Sequence, residues 1–298
     1  MAHYTINPML LALAALALTA QTAGGYARPD LLVDTAWLAQ HLTDPSVRIV
    51  DIRGRGYADG HVPNAVLVDS NWIRNPKAPP TFLPTPQEFG ALMGRLGISN
   101  TTRVVVYDER GGIYAARLWW ILNYYGHTNV ALVDGGWVKW TAEQRATDAL
   151  TPTVTATTFQ IKPGTVKVAT ADEVKASINK PGVKLIDART QAEIDGKDLR
   201  GIRRAGFIES SVPVYWEDNL DPVTKAFKSG AEITRLYRDK GILPSDAVTT
   251  YCQVGMRASH DLFTLALIGH DLSKLSNYYG AWEEWGNRDD TPIKTKAQ

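Results

Sequence analysis

Thr249-Thr250-Tyr251-Cys252-Gln253-Val254-Gly255-Met256-Arg257-Ala258-Ser259, residues 249–259, is the stretch from which the rest of the chain can be read. β-branched residues run from Val248 into Cys252, and Arg257 opens a segment whose apolar residues, Leu262, Leu265, Ala266 and Ile268, recur at helical spacing. Strand, four-residue loop and helix therefore follow one another. In open α/β sheets ligands sit beyond the carboxyl ends of the strands, which is where this thiol falls. A loop curled around the sulfur turns its backbone N–H groups inward as an anion nest, with the positive end of the helix behind it. Gly255 admits the positive φ that such a cradle needs, and Arg257 adds a full positive charge. These effects favour thiolate over thiol, so Cys252 is a candidate nucleophile. A cation at a helix N-terminus opposes the dipole unless an anion sits beside it, which argues against Arg257 as a merely solvated residue.

The same grammar occurs twice. VRIVDIR (47–53), GHVPNAVLVD (60–69), RVVVYDERGG (103–112) and GHTNVALVDGGWVKW (126–140) are answered by VKLIDAR (183–189), GFIESSVPV (206–214), AVTTYCQVGM (247–256) and GHDLSKLSNYYGAWEEW (269–285). Asp51 and Asp187 are 136 residues apart, Gly126 and Gly269 143, and Trp137 and Trp282 145, a repeat with small indels in loops. Val47–Val50, Val104–Tyr107, Val183–Ile186 and Val248–Tyr251 are predicted strands. Tyr114–Tyr125, Ala231–Lys240 and Ala258–Ile268 are predicted helices. The alternation predicts an α/β fold with two tandem domains, each a central, mainly parallel sheet flanked by helices. The domains are expected over residues 30–150 and 165–298. The Thr-rich stretch 151–164, with Pro152 and Pro163, is the expected linker.

Composition fits and excludes. The 298 residues suffice for two cores. With 32 Lys and Arg against 31 Asp and Glu, the net charge of +1 gives no basic face for nucleic acid. The lone cysteine cannot form an intrachain disulfide. Residues 9–20, MLLALAALALTA, are too short to span a bilayer and suit a signal peptide over residues 1–23, with Ala20 and Ala23 as cleavage points. The mature protein is thus expected to be periplasmic or secreted, with no stable membrane insertion. One unpaired cysteine in an oxidising compartment suggests a thiol kept for chemistry.

VDIR, GHVPNAV, LIDAR, the loop CQVGMR and the closing YGAWEEWGNRDDTPI together resemble the two-domain rhodanese family, the thiosulfate and mercaptopyruvate sulfurtransferases, over about residues 30–293. The resemblance implies two rhodanese-like domains of which only the second is catalytic, because Asp108 stands at the first-half position of Cys252. A carboxylate cannot carry a transferable sulfur, and Asp108 is expected to be satisfied by nearby backbone N–H groups. The implied activity moves the sulfane sulfur of thiosulfate to cyanide or another thiophilic acceptor through a persulfide on Cys252, with no metal or organic cofactor, in a monomer. Substrate-binding groups are then Gln253, Val254, Gly255, Met256 and Arg257. Arg200 is a further candidate, with Arg203 and Arg204 as alternatives to it. The charge of Arg257 favours a doubly anionic donor, thiosulfate, over mercaptopyruvate. Arg53 and Arg189 are expected to pair with carboxylates near the strand ends.

Two other classes of function compete. A cysteine phosphatase needs five residues between Cys and Arg to surround a phosphoryl group, where this loop has four, Gln253 to Met256, a smaller ring suited to sulfur. A persulfide carrier for a partner protein uses the same cradle without turnover. The many tryptophans, among them Trp119, Trp120, Trp137, Trp140, Trp282 and Trp285, are expected in core and domain-interface packing.

Overall fold

Five short strands in each half pair only in parallel. The computed structural model describes residues 23–70, 73 and 83–295, so the apolar run 9–20 lies outside the described residues. In the first half β1 (Leu32–Val33), β2 (Val47–Asp51), β3 (Val66–Leu67), β4 (Arg103–Tyr107) and β5 (Val130–Val133) are arranged in the order β1-β5-β4-β2-β3. The helices between them are α1 (Thr35–Gln40), α2 (Pro86–Arg95), α3 (Ile113–Tyr124) and α4 (Gly136–Ala142). The second half repeats this with β6 (Lys167–Ala169), β7 (Val183–Asp187), β8 (Ser211–Pro213), β9 (Ala247–Tyr251) and β10 (Leu275–Tyr278) in the order β6-β10-β9-β7-β8. Its helices are α5 (Ala171–Ser177), α6 (Gln191–Ile194), α7 (Gly230–Asp239), α8 (Met256–Leu267) and α9 (Ala281–Trp285). The fold is α/β, two tandem domains with one strand order.

Parallel strands covered on both faces are apolar throughout rather than alternating, and β4 shows why. Val104 and Val106 join a large core shared by both halves, while Val105 and Tyr107 point into a smaller core behind the first sheet, with Ile49 and Trp140. A third core, with Leu185, Tyr251, Trp282 and Trp285, lies behind the second sheet. In the shared core α3 packs against α8, where Trp119 meets Phe263 edge to face at 5.2 Å. A helix buried all round needs such a position between a sheet and a second domain, and every residue of α8 is buried.

Two expectations change on inspection. The predicted helix start at Ala258 moves back to Met256 in α8, because Gly255 (φ 78°) caps it and Arg257 becomes its second residue. The linker 151–164 has no strand or helix, yet it is fastened to the first domain. Thr157 N donates to Gly94 O at 2.9 Å, and Phe159 is buried against Phe89 with ring centroids 5.8 Å apart. A chain that turned from Ala27 straight into the first domain would leave the second untouched; instead Arg28 N donates to Leu267 O and Tyr26 Oη to Lys228 O, which ties the domains together. No helix among the described residues is long and apolar enough to cross a membrane.

Candidate active site

Each half builds the same truss under its strand ends. Arg53 binds the Asp51 carboxylate through Nε and Nη2, and Arg189 binds Asp187 in the same way, each pair closing at 2.7 Å. Tyr107 Oη donates to Asp51 and Tyr251 Oη to Asp187, both at 2.6 Å. The arginines stack on Trp137 and Trp282, with Cζ 3.9 and 4.1 Å from the indole rings. Arg53 and Arg189 are therefore structural, as expected. Their charges are consumed in a buried, bidentate pair whose remaining donors reach Gly60 O and Gly206 O.

On this truss stand two different loops. Asp108 is fully enclosed, and four backbone N–H groups converge on its carboxylate: Arg110 and Gly112 on Oδ1 at 2.8 Å, Tyr114 and Ala115 on Oδ2 at 2.7 and 3.0 Å. The first-half loop is thus a complete anion nest occupied by its own side chain, as its sequence position led us to expect. The corresponding loop of the second half places Cys252 at the end of β9 and Gly255 in the left-handed region at the start of α8. Cys252 O accepts from Trp282 N at 2.8 Å, matching Asp108 O and Trp137 N at 2.9 Å.

Between the domains lies a cleft of ≈ 720 Å³. Gln253, Val254, Met256, Arg257 and Arg200 line it, as does Arg110 from the other domain; Gly255 does not, and Cys252 itself carries no exposed surface. Arg203 and Arg204 are elsewhere. Arg203 pairs with Asp289, and Arg204 bonds to Trp285 O and Thr291 O. Of the three arginines left open by the sequence, Arg200 alone faces this cleft.

Arg257 differs from its expected role as a free cation. Its Nη1 and Nη2 clasp both oxygens of Glu193, at 2.6 and 2.8 Å. Burial alone would lower the pKa of the guanidinium, but hydrogen bonding to Glu193 and the nearby charges of Cys252 and Glu193 outweigh it and raise the value. Burial alone would likewise raise the pKa of Glu193, yet Arg257 and the Thr190 cap hold it down to about 2. Arg200 Nε adds a contact to Glu193 at 3.4 Å. Glu193 was missed from sequence. Its only local signal is the capping box in which Thr190 N and Oγ1 both donate to its Oε2 at 2.9 Å.

The duplicated truss, the duplicated strand order and the loop are what a comparison with known families can test. A family model for the rhodanese-like domain matches residues 34–143 and again 170–288. The chain belongs to the rhodanese family. A thiosulfate sulfurtransferase of Corynebacterium glutamicum is 33% identical over 285 residues, covering 91% of this chain and 92% of that one. The sulfur carrier protein TtuD of Thermus thermophilus is 34% identical over 285 residues, covering 90% and 98%. Among solved structures, SseA of Escherichia coli, described as having the rhodanese fold of 3-mercaptopyruvate sulfotransferases, superposes with a TM-score of 0.75 at 25% identity, over 85% of this chain and 98% of that one. With both rhodanese domains present over nearly the whole length of such relatives, this rhodanese is a sulfurtransferase.

Proposed function

We propose that this rhodanese takes the sulfane sulfur of thiosulfate onto Cys252 and passes it to cyanide or another thiophilic acceptor. The observation that carries this reading is the Asp108 nest. The first domain shows that this loop, on this truss, closes four N–H groups around an anion, and in the second domain the side chain at that position is a thiol.

The Cys252 thiolate attacks the outer sulfur of thiosulfate. The new S–S bond forms as the old one breaks, and sulfite leaves with the bonding pair. The resulting persulfide anion is stabilised by loop N–H groups in the manner of an oxyanion hole. Cyanide carbon then attacks the terminal sulfur, thiocyanate departs, and the Cys252 thiolate is restored. Arg110, Arg117 and Arg200 line the cleft beside the Arg257–Glu193 pair and against Glu217 and Glu283, a small positive excess that suits a dianionic donor and a sulfite product.

Mass spectrometry after thiosulfate treatment tests the reading: an adduct of about 32 Da on Cys252, removed by cyanide, is expected. No adduct, or one that persists in Cys252→Ala, overturns it. A parallel run with mercaptopyruvate decides the donor. The kinship to a named sulfur carrier favours one second reading, storage without turnover. Steady-state thiocyanate formation separates the two, since a carrier loads once and stalls. Export through the apolar leader is likewise part of the proposal, and mature-protein N-terminal sequencing checks it.

A further inference from the structure

Arg117 breaks the rule that buried charges are paired with opposite charges. It sits inside the apolar run of α3, YAARLWWILNY, with no exposed surface. Among the described residues no carboxylate forms an ion pair with it, and segments 1–22, 71–72, 74–82 and 296–298 contain no Asp or Glu. Its Nη1 donates to Gly255 O at 3.4 Å, and its Nε has no partner. Trp120 and Tyr279 stack on each other with centroids 6.0 Å apart, and the guanidinium lies beside both rings, Cζ 4.6 and 4.8 Å from their centroids. A Cβ on Gly255 would lie 3.4 Å from Nη1, so the cation rests directly against the cap of the Cys252 loop.

The duplication gives this placement its meaning. Arg117 is the fifth residue after the cap Gly112; the fifth after the cap Gly255 is His260. His260 crosses the interface in the opposite direction and meets Gly111 O through Nε2 at 3.1 Å. Burial holds its pKa down to about 4, so the imidazole is neutral. The loop whose carboxyl is built into the chain and already saturated by N–H groups thus receives a neutral ring. The loop whose anion is made and consumed receives a fixed guanidinium.

We infer that Arg117, supplied by the non-catalytic domain, is a positioning residue for sulfur transfer, acting as the buried counter-ion of the Cys252 thiolate and of the persulfide formed on it. Arg257 also faces Cys252, but its charge is shared with the Glu193 carboxylate that it clasps. Arg117 has this role only if Cys252 carries the sulfur, as proposed above. The other charged groups facing the cleft are Arg257 with Glu193, Arg200, Arg110, Glu217 and Glu283, and all stay unchanged in the test.

Cys252 is the sole cysteine, so alkylation by iodoacetamide reads it directly. In Arg117→Gln and Arg117→Met the alkylation rate near pH 6 should fall about tenfold, converging on wild type above about pH 9, while Arg117→Lys stays within about threefold. Gln keeps a donor for Gly255 O but no charge. A purely structural Arg117 therefore predicts a Gln variant equal to wild type near pH 6, or an equal loss at every pH, and either result overturns the inference. If Arg117→Met does not fold, the Gln and Lys variants decide the matter. Failure of wild type to load sulfur from thiosulfate would sink the proposed function, whereas loading by wild type with unchanged Gln kinetics would sink this inference alone.

Discussion

Asp108 and Cys252 each follow a strand-ending tyrosine, and each has its carbonyl fastened by the backbone N–H of a tryptophan, Trp137 or Trp282. Beyond that point the two loops part. The capping glycine comes four residues after Asp108, at Gly112, and three after Cys252, at Gly255. The carboxylate oxygens of Asp108 stand as many bonds from Cα as the terminal sulfur of a cysteine persulfide does. The first domain therefore displays a nest closed permanently around an anion at the δ position, where the second must open and refill. Duplication kept the truss and strand order intact in both halves, and confined the chemistry to the strand-end residue, the loop length and the side chains exchanged across the interface.

The largest effect that sharpens this contrast is Cys252→Ala. Thiocyanate formation should drop by more than about a thousandfold, with Tm within about 2 °C of wild type; retained turnover would move the chemistry elsewhere. Asp108→Ala should do the reverse. Four backbone donors lose their acceptor in a sealed site, a loss of about 3–5 kcal/mol in urea unfolding, while turnover per folded molecule stays within about twofold. A stable Asp108→Ala protein without activity would break the comparison, because Asp108 would then belong to the reaction.

Much of this was legible in the sequence, for identifiable reasons. The repeat landmarks Asp51 and Asp187, Trp137 and Trp282 are the truss itself, so reading them as equivalent amounted to reading the fold. The β-branched runs at 47–50, 104–107, 183–186 and 248–251 fell within strands because central parallel strands are apolar on both faces. The partner of Arg257 was hidden, since Glu193 is 64 residues away and beside a long insertion that only the second half carries. Arg117 and His260 were hidden differently. Their positions match in the repeat, but a buried cation and a buried imidazole acquire meaning only when α3 and α8 are seen crossing to each other's loops.

The exchanged pair gives the next smaller effect. His260 has its pKa lowered by burial from the ordinary value of about 6.5 to about 4. The unfolded chain then binds a proton that the folded one refuses, so stability is intact above about pH 6.5 and declines as pH falls towards about 4, by about 2 kcal/mol at pH 5. His127 and His270 are also shifted down by burial and add to the same decline. His260→Gln removes its own share of the slope. Urea unfolding at about pH 7 and about pH 5 should show a difference between the two pH values smaller by about 2 kcal/mol than in wild type. An unchanged slope would mean that His260 is charged at the interface, and its contrast with Arg117 would disappear.

The smallest effect concerns the masked cation of the catalytic half. Six residues past the truss aspartate, the first domain has Tyr57 and the second has Glu193. Held down to about 2, Glu193 stays ionised at any working pH, so Arg257 presents the donor with half of a neutral pair. Glu193→Gln keeps hydrogen-bond acceptance through its amide oxygen and deletes the negative charge. The KM for thiosulfate should then fall by about threefold at low ionic strength, kcat should stay within about twofold, and the gain should shrink as salt is added, because the exposed side of the cleft is screened. A rise in KM that is indifferent to salt would show that Glu193 aims Arg257 at the donor rather than offsetting its charge. In that case the catalytic half would differ from its silent copy by a second positioned group, and Arg257 would join Cys252 as a residue whose orientation the reaction requires.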